Sequence, residues 1–153
     1  MNTKLKSLPP LDGCRILWLE DEEIPYEMPL RPLSRKAQKI MDNIDSAEEL
    51  YQFWSAHTES LSIRDQIALL QQALLIDQTN AEIWYSLACT YELEGKDWYA
   101  ATNAYTHVIF LEPRSGVAWF SLYQLWAVRG HWKERQWNAI LNISSYRQKR
   151  KRT

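Results

Sequence analysis

Between residues 34 and 146 apolar side chains return every three or four positions, whereas residues 1–33 show no such period. Trp84, Leu87 and Tyr91 stand on one helical face, and the same spacing continues in the segments on either side. Start signals divide the run. Ser46 with Glu49, Ser62 with Asp65, and Thr79 with Glu82 each offer a capping oxygen and an acid three residues on, and Ser115 is a fourth cap. Gly95 and Gly130 can take the left-handed conformation that closes a helix, and Pro113 stops another. The pattern predicts helices over 34–43, 46–60, 63–76, 80–94, 97–111, 115–129 and 132–146. Connections this short make sequence neighbours antiparallel neighbours in space.

The first 33 residues hold five of the six prolines, which deny a helix its backbone donors, so an extended proline-rich arm is expected over 1–33. A helical domain over 34–146 follows, and then a basic tail over 147–153.

The helices repeat. Trp84, Leu87, Tyr91 and Gly95 return 35 residues later as Trp119, Leu122, Trp126 and Gly130, and four matches in register mean a duplicated unit. A weaker copy lies 34 residues upstream, where Leu50 and Phe53 match Trp84 and Leu87, and Leu61 stands in place of the glycine. Ala73-Leu74 aligns with Val108-Ile109, and Asp77-Gln78 with Glu112-Pro113. One helix pair cannot cover its own apolar face, so three must stack, with small residues such as Ala88 and Ala101 allowing close approach and Trp84, Leu87, Tyr91 and Tyr105 filling the seam. Trp84, Trp119 and Trp126 are expected in the core.

The segment Ala81–Pro113, AEIWYSLACTYELEGKDWYAATNAYTHVIFLEP, resembles the tetratricopeptide repeat family. The family's aromatic, Leu, small residue, Tyr, Gly, Ala, aromatic and closing Pro correspond to Trp84, Leu87, Ala88, Tyr91, Gly95, Ala101, Tyr105 and Pro113. The likeness spans about residues 47–143 and departs in places: the middle unit has one extra residue before Ala101, the third has Tyr123 and Arg135 where small residues are usual, and the first lacks both Gly and Pro. It implies an all-α, right-handed superhelix of antiparallel helix pairs, a tetratricopeptide-like solenoid with the extended arm at its N-terminus. Three repeats with a helical preface are also similar to the small chaperones of bacterial secretion translocators.

The resemblance further implies that the first helix of each pair lines a groove that receives a partner's extended segment. Carried over residue by residue, that groove comprises Glu48, Tyr51, Gln52 and Ser55, then Glu82, Tyr85, Ser86 and Cys89, then Val117, Phe120, Ser121 and Gln124. The set contains no Lys, Arg or Asn, the residues with which family members grip a terminal carboxylate. Tyr51, Tyr85 and Phe120 suit an apolar or proline-containing segment, and Glu48 and Glu82 favour basic flanks.

Charge and chemistry narrow the picture. The chain has 18 bases against 19 acids, but Arg147, Lys149, Arg150, Lys151 and Arg152 lie in the tail, which leaves 13 bases against 19 acids elsewhere. An acidic body with a short basic tail does not describe a protein that coats nucleic acid. Tail contact with phosphate, or nuclear import, stands beside the simpler reading of a solvated terminus. Cys14 and Cys89 form no CxxC pair, no apolar run is long enough to span a membrane, and no leader pattern follows the first basic residues, so a reducing cytoplasmic compartment is expected. Arg15–Glu23 looks like the first strand and acidic pair of a phosphate-receiving domain, but the parallel sheet such a domain needs has no counterpart here. Neither that acidic run nor His57, His107 and His131 make a metal or catalytic set, and no cofactor motif occurs, so a non-enzymatic protein is expected.

The leading expectation is an adaptor or chaperone-like module that holds a partner's extended segment. Beside it stand a structural subunit of a larger complex, buried through its tryptophans and arm, and a nucleic-acid-associated factor using the tail. Trp18, Trp137 and Leu141 mark a second interface, with a partner or a second copy, because helix 132–146 turns Trp137 and Leu141 away from its Trp132, Ile140 and Ile143 face. Trp137→Asp is therefore expected to lower the mass of a self-associated species in light scattering or to weaken partner binding; a variant unchanged in both removes the second interface.

Overall fold

The computed structural model describes residues 6–14 and 28–127, with Trp126 described by its backbone alone. Two short strands, β1 (Ser7–Leu8) and β2 (Met28–Pro29), precede six helices: α1 (Arg35–Asp42), α2 (Ala47–Ala56), α3 (Ile63–Ile76), α4 (Ala81–Glu94), α5 (Trp98–Leu111) and α6 (Gly116–Ala127). Each helix from α2 onward packs on the next, and α1 packs on α3. The result is an all-α helical repeat, with α2–α3 and α4–α5 as complete pairs and α6 opening a third. The expected helix 132–146, Trp18, Trp137, Leu141 and the tail bases Arg147, Lys149, Arg150, Lys151 and Arg152 lie outside the described residues. Among the described residues no helix is long and apolar enough to cross a membrane.

Most helix starts follow the capping logic. Ser46, Ser62 and Ser115 accept from the amides of Glu49, Asp65 and Ala118 at 3.1, 3.1 and 3.3 Å. The cap of α4 is a correction, because Asn80 and not Thr79 accepts from the Glu82 and Ile83 amides, at 3.0 and 3.3 Å. Thr79 is drawn the other way, its amide and hydroxyl donating to the Asp77 carboxylate at 2.9 and 2.6 Å, a stronger acceptor than any backbone carbonyl. The hydroxyl and amide of Thr79 hold the Asp77 carboxyl below its ordinary range.

The end of α2 also departs from expectation, stopping at Ala56 and not near residue 60. Leu61 is buried in the core, and the chain turns inward at His57–Ser60 to reach it. The side-chain Nε2 of Gln66 then donates to the Thr58 and Leu61 carbonyls at 2.9 and 3.1 Å, satisfying groups that the broken helix leaves over. No glycine or proline announces this stop.

Small residues set the helix spacing. Ala88 on α4 and Ala101 and Ala104 on α5 are fully buried, which lets the two backbones close on each other. Every residue from Ala100 to Ile109 is buried, so α5 is enclosed on all sides and not amphipathic. Its hydroxyls are disposed of locally: Thr102 donates to the Trp98 carbonyl and Thr106 to the Thr102 carbonyl, each at 2.8 Å.

The described part of the arm supplies one wall of this core. β1 and β2 pair antiparallel, Leu8 opposite Met28, and Leu8, Leu11, Cys14 and Met28 are buried against the helices. The helices hold the arm mainly by its backbone. Gln71 of α3 accepts from the Arg31 amide at 2.7 Å and donates to the Pro29 carbonyl at 3.1 Å; Gln78 donates to the Pro9 carbonyl at 2.9 Å. Arg31 forms a two-pronged pair with Glu94 at 2.7 and 2.6 Å and lies over the Tyr91 ring. That hydrogen bond holds the Glu94 carboxyl below its ordinary range.

His107 is the buried end of the contact. Its Nε2 accepts from the Leu11 amide at 3.2 Å, which leaves Nδ1–H to donate to the Asn103 carbonyl at 2.8 Å. Both ring nitrogens are committed to the neutral form, and burial pushes the pKa down to about 4. An unfolded His107 therefore takes up a proton between pH 6.5 and about 4 that the folded one refuses. Its contribution is complete above pH 6.5 and is lost as pH falls toward 4, to a total on the order of 3 kcal/mol. The thermal midpoint is expected to drop between pH 7 and pH 5. His107→Gln should lower the midpoint at pH 7 and flatten that dependence; an undiminished slope in the variant would assign the pH effect to other groups.

Candidate functional site

The twelve groove positions fall on α2, α4 and α6, the first helices of successive pairs. Glu48, Gln52, Ser55, Glu82, Val117, Phe120 and Gln124 are exposed, Tyr51, Tyr85, Cys89 and Ser121 are half-buried, and Ser86 is buried. Two hydroxyl contacts place the three helices side by side. The Tyr51 hydroxyl meets Ser86 Oγ at 2.8 Å, and the Tyr85 hydroxyl meets Ser121 Oγ at 3.3 Å. Tyr51 and Tyr85 are 34 residues apart, and Ser86 and Ser121 35 apart, so one contact is made twice by successive units. Each tyrosine spans from its own unit to the serine of the next, and Ser86 serves this span in place of facing solvent.

The rings give the row its apolar character. Tyr51 stacks on Trp54 with centroids 5.4 Å apart, and Tyr85 meets Tyr105 edge-on at 5.8 Å. Val117 and Phe120, 61% and 59% exposed on α6, continue the row into solvent. Burial raises the Tyr51 hydroxyl above its ordinary pKa. At Tyr85 the Ser121 hydroxyl pulls downward, but burial with Cys89 and Glu92 nearby leaves a net rise. Burial likewise raises the Cys89 thiol above its ordinary pKa, which disfavours the thiolate.

One member of this surface escapes the family-based reading. Glu92 lies three residues after Cys89 and seven after Tyr85, on the same face, and the Tyr105 hydroxyl donates to its Oε2. Cys89 Sγ lies 3.6 Å from that hydroxyl, so Cys89, Tyr105 and Glu92 form one connected polar group beside the Tyr85–Ser121 pair. The spacing from Tyr85 was the signal that could have identified Glu92. Tyr105, expected only as seam filler, is also the residue that positions this carboxylate.

The units repeat a second bond on the side away from this row. Trp84 Nε1 donates to the Gln78 carbonyl at 2.7 Å, and Trp119 Nε1 to the Pro113 carbonyl at 2.9 Å, each six residues back. In both units the indole ties its helix to the turn before it. Helix pairs in register, a hydroxyl span between units and an indole tie within each define a solenoid of repeats built to present a surface. Residues 69–101 match the tetratricopeptide repeat, a protein-interaction module of a kind that is typically non-enzymatic. The matched window opens inside α3 and closes at Ala101, twelve residues ahead of Ala81–Pro113, because in a stacked array α3–α4 packs much as α4–α5 does. No curated protein matches the chain.

The hydroxyl span is testable through coupling. In a double-mutant cycle, Tyr51→Phe and Ser86→Ala are expected to interact by about 0.5–1 kcal/mol in urea unfolding. Strict additivity would mean that the two hydroxyls do not join the units.

Proposed function

We propose that this protein holds an extended segment of a partner protein along the row formed by α2, α4 and α6, acting as an adaptor or chaperone-like module. The observation that carries this reading is the exposure of Val117 and Phe120 beside the half-buried Tyr51 and Tyr85. A side chain as large as Phe120 left in water is unfavourable, and seating a proline-spaced or apolar segment on it removes that surface from solvent. Preorganisation supports the reading as well. Tyr51 and Tyr85 are fixed by their serines, so little side-chain freedom is left to lose when a segment binds.

The arm does not compete for this row in its described part, whose hydrogen bonds run to α3, α4, α5 and the turn between α3 and α4. Its buried Leu8, Leu11 and Met28 serve the protein's own core. The assembly-subunit reading accordingly rests on Trp18, Trp137 and Leu141, and the nucleic-acid reading on the tail.

Affinity purification from the native source with wild type, Phe120→Asp and Tyr85→Ala tests the proposal. A co-purifying protein is expected with wild type, and its affinity should fall at least about tenfold in either variant. Far-UV circular dichroism should be unchanged. Equal recovery by all three forms would place the partner elsewhere.

A further inference from the structure

We propose that the segment seated in this groove carries a lysine or arginine at one central position, and that Glu92, positioned by Tyr105, receives it. The inference rests on the groove reading above and specifies its partner.

Charge complementarity selects the occupant. Together α2, α4 and α6 carry Glu48, Glu49, Glu82, Glu92 and Glu94 and not one Lys or Arg. The acids are not equivalent. Glu94 is committed to Arg31, and Glu48 accepts from the exposed amide of Gln52 at 3.1 Å. Glu92 is half-buried beside the Tyr85 and Tyr105 rings, and its charge bears on Tyr85, Cys89 and Tyr105 alike. The Tyr105 hydroxyl engages Oε2, and among the described residues Oε1 has no hydrogen-bond partner. A carboxylate fixed at one oxygen and open at the other, with aromatic walls that lower the local dielectric, is arranged for one charge-assisted hydrogen bond from a cation.

The neighbouring apolar surface sets the form of the ligand. Phe120, one turn along α6 from Val117, takes the apolar residues, while Glu92 takes the charged one. A segment ending in a carboxylate is disfavoured, since no cation on these helices answers it and Glu92 repels it.

Three labelled, proline-spaced nonapeptides that differ only in a central Lys, Gln or Glu test this by fluorescence anisotropy with the full chain at about 50 mM salt. The Lys peptide is expected to bind about tenfold more tightly than the Gln peptide, and the Glu peptide most weakly. In Glu92→Gln the Lys advantage should shrink below about twofold while the Gln peptide keeps its affinity. Tyr105→Phe, which leaves the carboxylate but frees it, should give an intermediate preference. Equal binding of the Lys and Gln peptides, or a preference that survives Glu92→Gln, overturns the assignment. If both bind equally and Phe120→Asp abolishes both, the groove stands and only the cation is wrong; if none binds, the groove reading falls with it. A Lys preference that emerges only after removal of residues 147–153 would make the chain's own basic tail the occupant and overturn the external partner.

Discussion

The indole of Trp84 is enclosed by protein, and each part of it is engaged. Its face lies 3.9 Å from the His107 ring in a near-parallel stack, and its N–H is tied to the Gln78 carbonyl. Three parts of the molecule meet there: the turn between α3 and α4, the inner helix α5, and, through the Leu11 amide on His107, the arm. The stack sets the plane of the imidazole, the plane sets where Nε2 points, and that direction fixes where the arm must run. The close approach of α4 and α5 through Ala88 and Ala101 is what brings the two rings within reach.

The repeat was legible because its constraints are local. Trp84, Leu87, Tyr91 and Gly95 declare a helix face and its stop within a dozen residues, and Ser62 opens α3 where a side-chain cap requires. Competition between neighbours was harder to read: at Thr79–Asn80 two polar side chains could each cap α4, and the Asp77 carboxylate decided between them. The early end of α2 depends on Leu61 and Gln66 acting after the turn, so nothing inside the helix signals it. The arm's seat was illegible for a stronger reason. Its deepest bond joins residues 96 positions apart, and a histidine in an apolar helix carries no mark of the backbone amide it will accept from. In the groove the tyrosines were legible as a face, while their role in joining units appeared only when the serine of the next helix came opposite.

Two surfaces of one array are thus put to different uses. The contacts on α3, α5 and the turn after α3 are spent inward, on an arm held by its backbone through Gln71, His107 and Gln78. Those on α2, α4 and α6 are fixed laterally by hydroxyls and leave ring faces and carboxylates outward. The helix α4 belongs to both, carrying Tyr91 toward the arm and Tyr85 and Glu92 toward the groove.

The hydroxyl span has a direction. Tyr51 reaches forward to Ser86 and Tyr85 to Ser121, but the next residue in the series is Phe120, which has no oxygen to extend. In the language of polymers, α6 carries the chain terminator: it can be joined by the unit behind it and cannot join one ahead. A single atom exchanged between tyrosine and phenylalanine thereby closes the series of linkages and converts the last position from a connector into bare apolar surface.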